Sequence, residues 1–319
     1  MRVLANEGIS QKGIDALNEA GIEVVEHRVS QGHLVDFINA NNIDVLLVKN
    51  TSQVRRELID ACPGLKAIGK GGAVMDNIDV EYAIEKGLYL FNTPNASTRA
   101  VAEMVFAHFF ALARFLHESN RLMPLEGETK FSSLKNSFSK AWELSGKTLG
   151  VIGFENIGKE VAKMGISLGM KVKVLTEEPT TETLILSFFD GQEVNFTINT
   201  TNDWNTFLND TDFISITTTK SQEYMIDAPQ FEMMKNGVYI VNTAKGGVIN
   251  EVTLIDYIEN GKVAGAALDV FEKEPRPELP ILMNPALSLS PNLAELTVDA
   301  QEKIGIELAE KIIEIKKKL

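Results

Sequence analysis

The chain has 319 residues, of which 44% are hydrophobic and 24% charged, a length and composition typical of a soluble globular protein with two domains. Its formal net charge of −13 argues against nucleic acid and anionic membranes as partners, although it does not exclude a pocket for a small anion. One cysteine, Cys62, excludes an intramolecular disulfide and fits a reducing compartment. Because we find no signal-peptide core and no apolar run of ~20 residues, we predict a cytoplasmic protein.

Short apolar runs alternate with helical patterns through the first hundred residues. The runs that predict strands are RVLAN, GIEVVEH, IDVLLVKN, LKAIGKGGA and LYLFNTP. Between the first two, SQKGIDALNEAG predicts a helix with Ser10 as its N-cap and Gly21 at its end. This alternation predicts a parallel sheet covered by helices on both faces.

A long helix is predicted from about Ser97 to Arg121, followed by a less regular stretch, MPLEGETKFSSLKNSFSKAWELS. A second strand–helix series then runs through GKTLGVIGF, KVKVLTEE, DFISITTT, GVYIVNTAKGG, VAGAALDVFEKEP and LSLSPN. Within it, the alternation in LILSFFDGQEVNFTIN and the pair Asp190-Gly191 predict an inserted β-hairpin. The last segment, VDAQEKIGIELAEKIIEIKKKL, has helical periodicity, and we assign it to the first domain.

A glycine turn between a strand and a helix indicates a dinucleotide site. The turn consists of Gly153, Phe154, Glu155, Asn156, Ile157 and Gly158. It follows TLGVI and precedes KEVAKMGISLG, which is the strand–turn–helix context that such a fingerprint needs. Glu178 stands about 20 residues on, where an acidic residue holds the ribose hydroxyls, and it favours NAD over NADP. The alternative is that Glu177 and Glu178 are surface residues that end a strand.

Glu155 occupies the position of the middle glycine of G-x-G-x-x-G, where the backbone approaches the pyrophosphate. Two unit charges about 4 Å apart at an effective dielectric of ~20 repel by about 4 kcal/mol, so we expect weakened NAD binding. A solvent-facing rotamer would lessen the repulsion. Alternatively, the carboxylate could itself lie at the N-terminus of the following helix, where the helix dipole stabilises it by about 0.3–1 kcal/mol.

Four long segments carry a family resemblance: KGGAVMDNIDVEYAIEKGLYLFNTPNASTRAVAEMVFAH, LSGKTLGVIGFENIGKEVAKM, MMKNGVYIVNTAKGGVINE and GAALDVFEKEP. They resemble the D-isomer-specific 2-hydroxyacid dehydrogenases, most of all the phosphoglycerate dehydrogenases of serine biosynthesis, in a short form without a C-terminal regulatory domain. The resemblance implies an α/β fold of two Rossmann-like domains. A flavodoxin-like substrate domain (residues 1–98 and 296–319) would contain an inserted NAD-binding domain (residues 99–295) with a doubly wound parallel sheet. It also implies hydride transfer between the substrate C2 and NAD, and a homodimer.

The catalytic positions that the resemblance implies depart from the family pattern. Lys245 would hold the substrate carboxylate and replaces an arginine, which keeps the charge and loses the planar fork. Glu274 matches the glutamate that orients the acid/base. Asn292 replaces the acid/base histidine, and an amide does not titrate near neutrality. His108 and His117 lie on the long helix, where we expect structural roles.

The resemblance also implies a substrate loop and further cofactor contacts. The substrate loop begins with Lys70, Gly71, Gly72, Ala73 and Val74. Val74 replaces a glycine there, which crowds the approach of a carboxylate and is costly if the site needs positive φ. Lys49 replaces a phosphate-contacting arginine, and lysine remains a competent phosphate binder. Near the cofactor, the resemblance implies Thr217, in the segment 215–219, and Asp269. Two explanations account for the replacement of arginine by Lys49, Lys70 and Lys245: mutational drift that retains the charge, and a remodelled pocket that still accepts an anion.

Two functions remain open. The first is an NAD-dependent 2-hydroxyacid dehydrogenase with weak or altered activity on a small anionic substrate. The second is a catalytically inactive pseudoenzyme that binds a small anion or a protein partner, as a homodimer or as a heterodimer with an active paralogue. The family likeness favours the first, and the combined changes at Glu155, Val74, Lys245 and Asn292 favour the second. We predict no metal site.

Overall fold

A computed structural model of the chain describes residues 1–218 and 223–318. It contains two compact units, one formed by Met1–Ala100 with the segment from Glu295 onward, the other by Val101–Ala294. Both units are built on sheets with parallel strands. The predicted α/β fold class is therefore confirmed.

The first unit has a five-stranded parallel sheet in the order β2-β1-β3-β4-β5. Its strands are β1 (Arg2–Ala5), β2 (Glu23–Val25), β3 (Val45–Val48), β4 (Ala67–Lys70) and β5 (Tyr89–Asn92). Its helices are α1 (Gln11–Glu19), α2 (Leu34–Ala40), α3 (Arg56–Ala61), α4 (Val80–Glu85) and α12 (Val298–Lys316). Helices α2 to α4 pack on one face of the sheet, and α1 and α12 pack on the other. This strand order is the flavodoxin-like order that the resemblance implies.

Helices α1 and α12 meet at two glycines. A Cβ on Gly13 would lie 2.6 Å from the carbonyl oxygen of Gly305, and a Cβ on Gly305 would lie 2.0 Å from Ser10 Oγ. Ser10 is the N-cap of α1, with its side chain accepting from the backbone N–H of Gly13. Gly21 follows the end of α1 with a φ of 66°. Both predicted ends of this helix are therefore confirmed, and the glycines let the two helices approach closely.

The second unit has an eight-stranded sheet in the order β13-β12-β11-β10-β6-β7-β9-β8. Its strands are β6 (Thr148–Ile152), β7 (Lys171–Leu175), β8 (Thr181–Ser187), β9 (Glu193–Thr201), β10 (Phe213–Ile216), β11 (Val238–Asn242), β12 (Val263–Leu268) and β13 (Leu287–Leu289). Its helices are α5 (Thr98–Ala113, starting in the first unit), α6 (Leu116–Ser137), α7 (Asn156–Ser167), α8 (Trp204–Leu208), α9 (Ala228–Met233), α10 (Glu251–Glu259) and α11 (Leu279–Met283). From β13 to β9 all neighbouring strands are parallel.

Alternate residues of the central strands face two apolar clusters. Phe213 and Tyr239 point to a cluster that includes α5 and α7, whereas Ile214 and Ile240 point to one that includes α8, α9 and α10. The period of two along each strand places these side chains on opposite faces of the sheet. Helices on both faces explain why these strands are continuous apolar runs in the sequence.

The predicted hairpin is confirmed at the edge of the second sheet. Strands β8 and β9 pair antiparallel across residues 181–187 and 193–199. Phe188 N–H donates to the Gln192 carbonyl at 2.9 Å, and Gly191 has a φ of 82°. The hairpin is tied to α7 by an ion pair between Lys159 and Glu182.

The single helix predicted from Ser97 to Arg121 is wrong, because the chain forms two helices bent by 55°. Phe115 breaks the pattern with a φ of 53° before α6 begins. Helix α6 continues to Ser137 through the first part of the stretch predicted to be irregular, with Pro124 inside it and non-helical angles at Lys130. The apolar periodicity does not reveal this break, since a left-handed phenylalanine is rare. Within the described ranges no single helix is long and apolar enough to cross a bilayer, although the bent pair α5–α6 passes that test by length and composition.

Enlarging Gly305 tests the contact between α1 and α12. We expect Gly305→Val to lower the free energy of unfolding by about 1–3 kcal/mol, because its side chain would collide with Ser10. The control is Gly32→Val, at an exposed position with no atom within 4 Å of the added Cβ. Thermal denaturation of both variants measures the difference, and equal melting temperatures would contradict the close contact.

Candidate active site

The predicted cofactor and catalytic residues of the second unit lie in loops that follow its parallel strands. These loops begin after β6 (Gly153 to Gly158), β7 (Glu178), β10 (Thr217), β11 (Lys245), β12 (Asp269 and Glu274) and β13 (Asn292). The carboxyl ends of parallel strands meet at one edge of a sheet, and ligands of open α/β sheets bind outside that edge. The fold therefore gathers these residues along one edge of one unit.

Close backbone packing explains the two glycines of the turn after β6. Gly153 has a φ of 92°, and a Cβ on it would lie 2.6 Å from Thr218 Cβ. A Cβ on Gly158 would lie 2.1 Å from the Gly153 carbonyl oxygen, which is closer than any real contact. The hydroxyl of Thr217 lies 3.0 Å from the carbonyl oxygens of both Ile152 and Gly153. Thr217 thus braces the turn from the neighbouring strand.

Glu155 is the N-cap residue of α7, with φ −83° and ψ −164°. This extended conformation suits any residue, so the backbone at position 155 does not require glycine. The exposed carboxylate does not accept a capping hydrogen bond from the first turn of α7. Glu155 thus stands at the N-terminus of α7, as in the alternative stated for it, and its carboxylate makes no capping hydrogen bond there. Around it, Phe154 is buried, Asn156 begins α7 and is exposed, and Ile157 is half-buried.

A cavity of about 510 Å³ opens beside this turn. Its lining joins the glycine turn to the end of β7 and the start of β8, and it includes four carboxylates: Glu155, Glu177, Glu178 and Glu182. Glu182 is paired with Lys159, whereas Glu177 and Glu178 are exposed. The structure thus brings Glu178 to the same cavity as the glycine turn. Such a lining suits hydroxyl donors such as those of a ribose, and it repels phosphate.

Lys245 lies in the loop after β11, with an exposed side chain. The side-chain amide of Asn242 shapes this loop by donating to the Lys245 carbonyl at 2.9 Å. A Cβ on Gly246 would lie 1.9 Å from the Phe271 carbonyl oxygen, so the loops after β11 and β12 touch through backbone. Next to Lys245 in the chain, Thr243 is buried, and its Oγ1 has no hydrogen-bond partner among the described residues.

Asn292 and Glu274 are in contact. The Asn292 side-chain N–H donates to Glu274 Oε2 at 3.1 Å, and Glu274 Oε1 accepts from the Phe271 N–H at 3.1 Å. Asn292 has a φ of 55°, a left-handed conformation that asparagine tolerates better than most residues. The carboxylate that the resemblance assigns to orienting an imidazole thus orients an amide.

Asp269 holds the turn that carries Asn292. Its carboxylate is 1% exposed and accepts from Ser290 Oγ at 2.5 Å, from the Leu293 N–H at 2.8 Å and from the Ala294 N–H at 2.9 Å. The resemblance implies a cofactor contact for Asp269, and in the structure its oxygens accept hydrogen bonds from this turn.

His108 lies behind this turn, between two serines. Its Nδ1 is 3.0 Å from Ser288 Oγ, and its Nε2 is 3.0 Å from Ser290 Oγ. Sequence reasoning missed both serines, although their alternation in LSLSPN after an apolar strand could have drawn attention to them. The last residue of the predicted cofactor segment, Thr219, lies outside the described residues.

In the first unit, the two predicted substrate lysines have different environments. Lys49 is half-buried and its Nζ donates to Gln301 Oε1 at 2.7 Å. Lys70 is only 2% exposed, and its Nζ donates to Asn50 Oδ1 and Asn77 Oδ1, both at 2.9 Å. Burial lowers the pKa of both lysines. Lys70 is thus turned into the protein, where its ammonium braces the loop.

The loop after Lys70 places its unusual backbone angle at a glycine. Gly72 has a φ of 136°, and a Cβ on it would lie 3.2 Å from Glu295 Oε2. Val74 is 39% exposed and is not among the described residues with positive φ. The strain anticipated at Val74 is therefore absent. Gly71 is buried, and the Ala73 carbonyl accepts a hydrogen bond from the Asn92 side chain at 2.7 Å.

Glu7, which sequence reasoning missed, orders the loop after β3. Its carboxylate accepts from the Thr51 N–H at 3.0 Å and from the Ser52 N–H at 2.9 Å. Burial acts to raise the pKa of Glu7, but the hydrogen bonds from Thr51 and Ser52 outweigh burial and lower the pKa to about 2. Glu7, Lys49 and Arg28 line a cavity of about 380 Å³ in the first unit.

The doubly wound sheet of the second unit, its glycine turn and the acidic end of β7 define a dinucleotide-binding domain. Residues 106–294 match the family model described as "D-isomer specific 2-hydroxyacid dehydrogenase, NAD binding domain". The chain belongs to the D-isomer-specific 2-hydroxyacid dehydrogenase family, and its second unit contains the NAD-binding domain of that family.

Relatives with similar sequences cover almost the whole chain. It is 36% identical to a hydroxypyruvate reductase of Thermotoga maritima, over 98% of this chain and 97% of the reductase. It is 35% identical to a D-3-phosphoglycerate dehydrogenase of Archaeoglobus fulgidus, over the full chain but only 58% of that protein. The holo form of D-mandelate dehydrogenase from Rhodotorula graminis shares the fold, with a TM-score of 0.84 at 20% identity, over 98% of this chain and 93% of that one.

The hydrogen bonds of Glu7 predict a pH-dependent contribution to stability. Because the folded state lowers the pKa of Glu7 from 4.5 to about 2, its contribution is fully present above about pH 4.5 and is lost as pH falls towards 2. We expect Glu7→Gln to lower the melting temperature at pH 7 and to have little effect near pH 2. Thermal melts of both proteins across this range measure the difference, and a difference independent of pH would contradict the role of the ionised carboxylate.

Proposed function

We propose that the chain is an NAD-dependent 2-hydroxyacid oxidoreductase, of the hydroxypyruvate reductase or phosphoglycerate dehydrogenase type, with weak or altered turnover. The observation that supports this most directly is the hydrogen bond from the Asn292 amide to Glu274. The acid/base position and its orienting carboxylate are in contact, but the group that would titrate is missing. The family provides the class of reaction, and Asn292 provides the reason for slow proton transfer.

The residues of the second unit fit a dinucleotide, with one unfavourable group. No side chain fits at Gly153 or Gly158, which leaves the first turn of α7 open to a pyrophosphate. Glu178 would hold the ribose, and the unpartnered Oγ1 of Thr243 offers a hydrogen bond to a ligand at the same edge of the sheet. Glu155 opposes binding, because its charge lines the same cavity. Bound NAD would supply the hydride acceptor or donor.

Three residues of the second unit would act on the substrate. The exposed ammonium of Lys245 would hold the substrate carboxylate as a point charge. Glu274 would fix the Asn292 amide, and this amide would form a hydrogen bond with the C2 oxygen without exchanging a proton. The proton would come from water or from Lys245. General acid–base catalysis contributes about 10²–10⁴-fold, which is the size of the loss that we propose.

We further propose that the first unit is the substrate domain and that the substrate is a small anionic 2-hydroxy or 2-oxo acid. Lys49, which lines the cavity of the first unit together with Arg28, would hold an anionic group there. A role in serine biosynthesis would follow from the phosphoglycerate dehydrogenase relatives. These relatives are longer than this chain, so a shared substrate is part of the proposal.

We also propose a cytoplasmic homodimer, or a heterodimer with an active paralogue. Helix α6 supports a protein interface, because it exposes four large apolar side chains: Leu116, Met123, Leu125 and Phe131. Exposed apolar surface of this kind is typical of protein contacts.

The second candidate function is a pseudoenzyme that binds a small anion or a protein partner without turnover. The specific observation in its favour is the acidic cavity, which Glu155 lines beside the glycine turn where a pyrophosphate would bind. The two candidates differ in what restores activity. An enzyme with slow proton transfer binds NAD and is accelerated by a titratable group at position 292, whereas the pseudoenzyme fails at cofactor binding.

Restoring a titratable group at position 292 tests the proposed enzyme. We expect Asn292→His to raise kcat for NADH-dependent reduction of hydroxypyruvate by about 10²–10⁴-fold, because imidazole transfers the proton that an amide cannot. Asn292→Gln is the control, since it keeps an amide and should not raise kcat. Absorbance of NADH at saturating substrate measures the rates. Equal kcat in wild type and Asn292→His would contradict slow proton transfer as the limit.

Removing the carboxylate at position 155 tests the cofactor site. We expect Glu155→Gly to tighten NAD binding about 10–100-fold, which is less than for a buried pair because the side chain is exposed. Glu155→Gln removes the charge but keeps the bulk, so comparing the two variants separates repulsion from crowding. Isothermal titration calorimetry with NAD⁺ and NADH measures the Kd values. Tight binding by the wild type, unchanged in both variants, would contradict the unfavourable role of Glu155.

A further inference from the structure

A chain of hydrogen bonds connects the buried helix α5 to the turn that carries Asn292. His108 of α5 contacts Ser290 Oγ through its Nε2 at 3.0 Å, and the Ser290 hydroxyl contacts Asp269 Oδ1 at 2.5 Å. Asp269 then accepts the backbone N–H groups of Leu293 and Ala294. All residues joined by these hydrogen bonds belong to the second unit.

The direction of each hydrogen bond follows from the donors available. The carboxylate of Asp269 can only accept, so the single hydroxyl hydrogen of Ser290 points to Asp269. The Ser290 oxygen must then accept from His108 Nε2–H, and Nδ1 of the same ring accepts from the Ser288 hydroxyl. This arrangement fixes one neutral tautomer of His108, and burial, which lowers the pKa of His108, favours the neutral ring.

Asp269 is the residue through which these hydrogen bonds reach the candidate active site. Its side chain binds the two N–H groups that follow Asn292, and its own carbonyl accepts the Asn292 N–H at 2.8 Å. The turn is therefore held at three successive residues while Asn292 itself is left-handed, with a φ of 55°. A shift of the Asp269 carboxylate would move the backbone of the residue at position 292.

We propose that His108 is a positioning residue, which fixes the Asp269 carboxylate through Ser290 and thereby sets the place of the residue at position 292. The geometric part of this proposal stands on the hydrogen bonds alone, whereas its consequence for turnover depends on the proposed function. Ser288 provides a matched control, because it bonds the other nitrogen of the same imidazole and is not among the hydrogen-bond partners of the Asp269 carboxylate. If His108 were merely a packed core residue, losing either serine would have the same effect.

Amide hydrogen exchange tests the geometric part without any requirement for activity. We expect His108→Leu and Ser290→Ala to speed exchange at the Leu293 and Ala294 amides by about tenfold or more, relative to the amides of β11. Ser288→Ala should leave this ratio unchanged. His108→Gln should restore slow exchange, because its side-chain N–H can replace Nε2–H as the donor to Ser290.

Two exchange results would overturn the proposal. One is equal acceleration by Ser288→Ala and Ser290→Ala, which would show general loosening of the core. The other is unchanged exchange at Leu293 and Ala294 in Ser290→Ala. Because Ser290→Ala removes only a hydroxyl, this test remains possible even if His108→Leu fails to fold.

Kinetics in the Asn292→His protein test the consequence for turnover. We expect Ser290→Ala to lower kcat in that background by about tenfold with little change in KM. A misplaced acid/base stabilises the transition state less well, whereas substrate binding is unaffected. Ser288→Ala should leave both constants unchanged. A higher KM with unchanged kcat in Ser290→Ala would overturn the positioning role. If Asn292→His shows no turnover but the exchange pattern holds, the proposed function fails and the positioning role of His108 remains.

Discussion

Close packing of the first turn of α7 on the end of β6 is the constraint on which the second unit depends. A Cβ on Gly158 would lie 2.1 Å from the Gly153 carbonyl oxygen, so the helix can start at this place only if residue 158 is a glycine. This contact fixes the N-terminus of α7 at the carboxyl edge of the sheet, where the helix dipole favours anions. Thr217 fixes the same turn from β10. The glycine turn is thus a consequence of backbone packing, and a carboxylate at position 155 leaves that packing unchanged.

Features that depend on local sequence were predictable. The Asp190-Gly191 pair marks the hairpin because glycine supplies the positive φ of its turn, and the apolar runs mark the parallel strands because helices cover both faces. The break at Phe115 was not predictable, since a bulky residue with positive φ has no local signature. The same holds for Lys70, whose buried ammonium depends on two asparagines that lie 20 and 7 residues away in the sequence.

For the candidate site, residue identities were predictable and environments were not. The resemblance points to Glu274 and Asn292, and the structure places them in contact. It also points to Asp269, but a cofactor contact cannot be distinguished from a structural carboxylate without knowing that the turn folds back onto it. His108 depends on serines about 180 residues away, as the sequence separations of its two hydrogen bonds show. Only the folded sheet brings these groups together.

In the proposed function, the substitutions at positions 155 and 292 affect different physical steps. Glu155 follows β6 near the middle of the sheet, whereas Asn292 follows β13 at its far edge, with β10, β11 and β12 between them. Strands lie about 4.8 Å apart, so β6 and β13 are separated by roughly 19 Å across the sheet, beyond the distance at which mutational effects usually couple. Neither side chain contributes to the two apolar clusters of this unit. Under the proposed function, cofactor affinity and proton transfer can therefore change independently while the fold stays intact.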